Sequence, residues 1–204
     1  MEDAHTAEYI DGGGMSDSAF FAVYDGHGGP GAARFCAQEL WPKLVDKVQS
    51  AMAENITELS AAGVPATAAP VEKAVHAAFK EVDAAMARSH SMYVTDDDQF
   101  GDPGTTATTL LVNKDQLVFS NLGDSRALLC SGGKEAYITT DHKPTDETEL
   151  KRIEEAGGWV VSGRVCRMMA VARALGDHTF KENPDLRPEE QMLSPVPDVV
   201  VLPR

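Results

Sequence analysis

Asp25-Gly26-His27-Gly28-Gly29 gathers a carboxylate, an imidazole and three glycines directly after the apolar run Ala19–Tyr24. An acid at the end of a strand is held rigidly at an open edge, where its oxygens can take a hard cation. The glycines let the backbone approach a ligand closely, and His27 can give up a proton near neutral pH. Other groups could add to this. Glu2-Asp3 pairs two acids before a possible strand, Gly123-Asp124-Ser125-Arg126 sits between two short apolar runs, and Gly104-Thr105-Thr106 and Asp141-His142-Lys143-Pro144 add hydroxyls and charge. Taken singly, each has a plainer reading: solvated terminal charges, a hairpin turn, a strand start and an exposed turn. Asp96-Asp97-Asp98 is a denser acidic run, but it falls in a polar loop and reads as solvated.

Gly26-x-Gly28-x-x-Gly31 also matches the dinucleotide-binding fingerprint. Three features oppose that reading. Asp25 would put a fixed negative charge beside the pyrophosphate. No second strand ends in an acid some twenty residues on, where the chain still reads as helix. The sequence that follows lacks a parallel strand–helix–strand pattern.

The elements that must position these residues follow from periodicity. Residues 4–10 suit a short strand, Gly12-Gly13-Gly14 a turn, and Ala19–Tyr24 a buried strand. Cys36, Leu40, Leu44, Val48 and Met52 recur every four residues and predict a helix, with Pro42 expected to kink or reset it. Residues 60–70 form a small-residue loop. Pro70 then opens a second helix with Val71, Val75, Phe79, Val82 and Met86 on one face, and residues 95–104 break it. From Gly104 the period shortens. Thr105–Val112, Gln116–Asn121, Arg126–Cys130 and Glu135–Thr139 predict an antiparallel meander. Asp146 and Glu149 fit a capping pair for a third helix, with Leu150 and Ile153 inward and Gly157 or Gly158 at its end. Short strands are expected over 159–176 and one more over 196–202. Strict strand–helix alternation is missing, which favours α+β with antiparallel sheets.

The 204 residues suit a single domain, and 43% hydrophobic residues make the chain globular. A net charge of -14 would repel phosphate backbones, so nucleic acid is excluded as a partner, while the carboxylate excess is compatible with hard cations or simply with an acidic surface. Cys36, Cys130 and Cys166 are odd in number and far apart, without a CxxC, which points to reduced thiols in a cytoplasmic or nuclear protein. Glu2 and Asp3 directly follow Met1 with no apolar h-region, so no signal peptide is expected; no apolar run reaches membrane-spanning length, and no membrane partner is expected.

Several motifs occur together and in order: Glu2-Asp3-Ala4-His5, Val23-Tyr24-Asp25-Gly26-His27-Gly28-Gly29, Gly104-Thr105-Thr106-Ala107, Asn121-Leu122-Gly123-Asp124-Ser125-Arg126-Ala127, Asp141-His142-Lys143-Pro144, Gly157-Gly158 and Ala174-Leu175-Gly176-Asp177. In this order the chain resembles metal-dependent serine/threonine protein phosphatases of the 2C type over nearly its whole length, with Ser194-Pro195-x-Pro197 in keeping. The resemblance implies an α+β fold of two packed antiparallel β-sheets flanked by helices, residues 1–204 forming one partial domain that stops short at the C-terminus. It implies two Mg²⁺ or Mn²⁺ ions and a third weaker site. By position Asp25 resembles the bridging carboxylate, Gly26 the residue lending a carbonyl, Glu2 and Asp3 the acids holding an ion or its waters, His27 the general acid, and Asp124 the ligand of the third ion. The implied activity is hydrolysis of phosphoserine and phosphothreonine in phosphorylated proteins.

The departures matter too. The family's two later metal-binding aspartates and the arginine before its first motif have no counterpart here, and Ala172 stands where serine is common. The chain alone is therefore expected to be poorly active. The rival reading is a catalytically dead member of the family acting as a regulatory binding module.

Overall fold

The computed structural model describes residues 1–10, 17–62, 69–89 and 101–204, with side chains left undescribed over 52–62. The Gly12-Gly13-Gly14 turn and the acidic run at 96–98 lie outside the described residues. The order is β1 (Ala4–Ile10), β2 (Ser18–Tyr24), β3 (Gly26–His27), α1 (Gly31–Ala62), α2 (Ala69–Ala87), β4 (Gly104–Thr105), β5 (Ala107–Val112), β6 (Gln116–Leu122), β7 (Leu128–Ser131), β8 (Lys134–Ile138), α3 (Glu147–Glu155), β9 (Val160–Val161), β10 (Arg164–Val165), β11 (Leu175–Gly176) and β12 (Asp198–Pro203). Every pairing between these strands is antiparallel. The main sheet runs β1-β2-β5-β6-β12, and a short sheet β11-β4-β3 continues from its end. The α+β, antiparallel expectation holds. The dinucleotide reading falls, because β2 lies between antiparallel neighbours and no parallel unit surrounds Gly26.

One face of the main sheet is covered by α1 and α2. Phe20, Ala22 and Tyr24 point from β2 into the helices, meeting Cys36, Leu40, Leu44 and Val48 of α1 and Val71, Val75, Phe79, Val82 and Met86 of α2. Ala74 and Ala78 keep the helices close. Phe20 stacks on Trp41 with centroids 4.7 Å apart. Each fully buried aromatic or aliphatic side chain contributes about 1.5–3 kcal/mol, and this core fixes the direction in which β2 delivers Asp25.

Several details differ from the periodicity reading. Helix α1 is a single element that contains Pro42 and extends to Ala62, into the stretch expected to be loop. Residues 63–68 lie outside the described residues. Strand β2 is buried on alternate residues only. Phe21 and Val23 are 48% and 53% exposed and, with Leu110, Phe119 and Leu128, line an apolar groove on the sheet's other face. The meander breaks after β6: β7 and β8 pair only with each other, because the Gly123–Ala127 segment turns away to serve the site described below. Asp146 does sit at the N-cap of α3, but its side chain makes no cap bond there and instead accepts from the Lys143 N–H at 3.1 Å. Glu149 is drawn inward by two arginines instead of reaching back to the cap. Ile153 is buried and Leu150 only half-buried. The helix ends as the glycines require: the Gly158 N–H bonds to Ile153 O and that of Gly157 to Glu154 O, with Gly157 at φ +88°. No helix among the described residues is long and apolar enough to cross a membrane.

Candidate active site

The β1–β2 register pairs Ala4 with Tyr24, so the residues just before β1 lie alongside those just after β2. A β-carbon on Gly26 would fall 2.3 Å from Glu2 O, which shows how closely the two segments run and why position 26 needs a glycine. Asp25 occupies the break between β2 and β3. Its N–H donates to Thr106 Oγ1 at 3.2 Å and its carbonyl accepts from the Thr106 N–H at 3.0 Å. Thr106 Oγ1 is also 2.8 Å from Ser125 Oγ. Two motifs that read singly as a strand start and a turn are therefore bolted to the backbone of Asp25.

The carboxylates converge in charge. The Asp25 carboxyl is raised above its ordinary value by partial burial, then by the charges of Asp3 and Asp124, with His27 opposing. Glu2 acts on His27. So Glu2, Asp3, Asp25, Gly26, His27 and Asp124 lie in one region, where the charged groups act on one another. Asp25, His27, Thr106, Asp124, Arg164 and Met168 line one cleft of about 290 Å³.

Negative charge crowding one carboxylate, in an oxygen-only donor set, suits a hard divalent cation. Among the described residues, no group of three His, Cys, Asp or Glu side chains is close enough to hold an ion by itself. The Asp124 carboxylate is occupied by Lys143, whose Nζ lies 2.5 Å from Oδ2. The donors suit a hard cation in kind and in charge, without closing a coordination set among the described residues.

Asp141-His142-Lys143 wraps the Gly123–Arg126 turn with three separate contacts. Asp141 takes a two-pronged bond from Arg126, Nε at 2.6 Å and NH2 at 3.0 Å, and that guanidinium holds its carboxyl below the usual range. His142 is buried, and its Nδ1 accepts the Gly123 N–H at 3.0 Å. Its Nε2 then faces Asp198 Oδ2 at 3.3 Å, off the line of a hydrogen bond. Lys143 holds Asp124. Asp198 passes the chain of contacts to Arg173 at 2.9 Å, and Arg173 passes it to buried Glu149 at 2.6 Å. The turn carrying Asp124 is thus tied to β12 and α3.

His27 has a partner that its own motif does not disclose. Its Nε2 is 2.8 Å from Asp177 Oδ1 and 2.9 Å from Oδ2. Burial works to lower the His27 pKa, but the bond to Asp177 and the charges of Asp177, Asp25 and Glu2 prevail and raise it. Asp177 is 1% exposed, sits at φ +50°, and is raised by burial while His27 and Lys181 work to lower it. The segment bearing it is held from α2, where buried Asp83 Oδ1 accepts the Gly176 N–H at 2.9 Å and Lys181 Nζ at 2.7 Å. Asp102 accepts the N–H groups of His178 and Thr179, both at 2.8 Å.

Sequence reasoning quoted Asp177 as part of a motif without giving it a role, and missed Asp83 and Arg164. An acid inside the apolar face of α2 was the available signal for Asp83. Nothing local marked Arg164, an exposed cation on the cleft wall whose NH1 donates to Met168 O at 2.7 Å.

A family model described as protein phosphatase 2C matches residues 1–204. The human protein named protein phosphatase 1A is 36% identical over 200 residues, covering 98% of this chain and 49% of that protein. The mouse protein named probable protein phosphatase 1N is 42% identical over 205 residues, covering 100% and 46%. The chain spans about half the length of the curated relatives it matches. Among solved structures, a phosphatase from Toxoplasma gondii superposes with TM-score 0.67 at 25% identity, covering 98% of this chain and 67% of that one. A sex determining protein of C. elegans superposes with TM-score 0.69 at 26% identity, covering 99% and 45%.

Proposed function

The chain belongs to the protein phosphatase 2C family, and from that premise we propose that it carries the nucleus of a metal-dependent site that hydrolyses phosphoserine and phosphothreonine in proteins. The observation that supports this most is the crowding of Asp25 by Asp3 and Asp124 at a cleft that also contains His27. The Asp25 carboxylate and the Gly26 carbonyl would hold Mg²⁺ or Mn²⁺, with Glu2 and Asp3 adding oxygens directly or through water, and Asp124 serving a third, weaker ion. A divalent ion bound there supplies Lewis acidity toward water and the phosphoryl oxygens.

The chain's own residues do the rest. Thr106 fixes the backbone of Asp25. Arg164 presents a cation to the phosphoryl group from the cleft wall, where half-exposed Met168 offers an apolar surface for a peptide. His27, on the same cleft, would supply a proton to the leaving serine or threonine oxygen, which departs poorly without one.

Turnover by these 204 residues alone is slow in this reading, since the described residues make up only part of a metal shell. The test is phosphate release from phosphoseryl and phosphothreonyl peptides with Mn²⁺, beside Asp25→Asn. Slow release that needs Mn²⁺ and disappears in Asp25→Asn is expected. Release indifferent to both would overturn the site assignment, and rapid release would overturn the slow-turnover part. A chain that binds Mn²⁺ but never exceeds the Asp25→Asn background would instead be a binding module.

A further inference from the structure

We propose that Asp177 is the positioning residue of His27: it holds the imidazole by Nε2–H, so that Nδ1 is the ring atom that passes a proton to the leaving oxygen. The inference rests on the phosphatase reading for its purpose, but its geometry stands on its own.

Both carboxylate oxygens of Asp177 lie within 2.9 Å of His27 Nε2. A carboxylate only accepts, so Nε2 carries the proton and donates it into that fork. Among the described residues, Nδ1 has no hydrogen-bond partner, and the side chain is 34% exposed in the cleft. One nitrogen is committed to the interior and the other is left for chemistry.

The surroundings of Asp177 are arranged at a cost. Its side chain is 2% exposed. Its backbone is in the left-handed region at φ +50°, where a residue other than glycine is strained. A β-carbon at Gly104 would fall 2.0 Å from Asp177 Oδ2, so the short sheet keeps a glycine there to admit the carboxylate. Asp83 and Asp102 brace the segment on either side. A buried, strained acid, its segment braced from α2 and from the stretch before β4 and directed at one cleft histidine, has the layout of an orienting group.

In the reaction, the bond between phosphorus and the serine or threonine oxygen breaks with its electron pair on that oxygen. The oxygen takes the Nδ1 proton, and His27 is left neutral with Nε2–H still on Asp177. Water adds its oxygen to phosphorus and releases one proton to solvent, from which His27 recovers its own.

The experiment reads the ring directly, on this chain without metal or substrate. Long-range ¹H–¹⁵N correlation of His27 is recorded well above the imidazole titration range for the wild type, Asp177→Asn and Asp177→Ala. The expected signature is a single Nε2–H tautomer in the wild type, giving way to a tautomer mixture in Asp177→Ala and to a weaker preference in isosteric Asp177→Asn. An Nδ1–H tautomer in the wild type, or a signature unchanged in both variants, would overturn the inference. The functional arm compares an aryl phosphate, whose leaving group needs no proton, with a phosphoseryl peptide. General acids contribute about 10²–10⁴ in rate, so Asp177→Ala should slow the peptide at least about tenfold more than the aryl phosphate; equal slowing would overturn the inference as well. A wild-type chain inactive on both substrates counts against the phosphatase reading, and the ring signature still decides the role of Asp177.

Discussion

Truncating Glu149 to alanine should destabilise the chain by about 3 kcal/mol, at the lower end of the roughly 3–5 kcal/mol seen when one partner of a buried ion pair is removed. Its carboxylate is 4% exposed and takes three donors: Arg173 Nε at 3.0 Å, Arg173 NH2 at 2.6 Å, and Arg152 NH1. Removing it takes the carboxylate partner from two guanidiniums that are only 18% and 15% exposed. Neither becomes an orphan. Arg173 keeps Val196 O at 3.0 Å and Asp198 at 2.9 Å, and Arg152 keeps Ala172 O at 2.5 Å and Gln191 O at 3.1 Å. Those surviving bonds argue for the lower end of the range. In urea, with a slope of about 2–3 kcal/mol per molar, the midpoint should drop by about 1–1.5 M. The pH dependence supplies a second check. Burial pushes the Glu149 carboxyl up, but the two arginines prevail and hold it below its ordinary value. Its contribution is therefore fully present above the unfolded value of about 4.3 and is lost as pH falls through the lower folded value. The gap between wild type and Glu149→Ala should close on acidification. A midpoint shift under about 0.3 M, which is less than 1 kcal/mol, or a gap that widens in acid, would refute the reasoning.

Two further outcomes follow from the same contacts. Asp198 is held down to about 2, first by His142 and then by Arg173, so it stabilises the fold above its unfolded value of about 3.9 and progressively less as pH falls toward 2; acid titration of stability should be shallower in Asp198→Asn, and an identical profile would contradict the assignment. Gly104→Ala places a methyl against the Asp177 carboxylate; the displacement should cost about 1–3 kcal/mol, or about 2–12 °C in Tm, and an unchanged Tm would mean that the pocket has slack the geometry does not show.

The helices were legible because their burial follows a simple period: the four-residue spacing from Cys36 to Val48 in α1 and the stripe in α2 predict the residues that pack, while the side chain of Met52 lies outside the described residues. Strand β2 was read as wholly buried because Phe21 and Val23 are as apolar as their neighbours, and only the layout of the sheet shows that they face an open groove. The capping pair failed for a related reason. Glu149 has the spacing of a cap, but two arginines from other parts of the fold outbid a single backbone N–H. In the site, Asp25 and His27 were visible because glycines and an apolar strand frame them. Asp177 was not, since its meaning depends on a contact 150 residues away in sequence. The same holds for His142, which read as part of an exposed turn and is in fact buried on the Gly123 amide.

The most direct measurement is a Mn²⁺ titration of this chain followed by the electron spin resonance signal of free Mn²⁺, for the wild type and Asp25→Asn. The account predicts saturable binding in the wild type that weakens at least about tenfold in the variant, as when a group essential to a metal site is changed. Equal binding by the two proteins, or none by the wild type, would contradict the claim that Asp25 and its neighbouring carboxylates form a divalent-cation site.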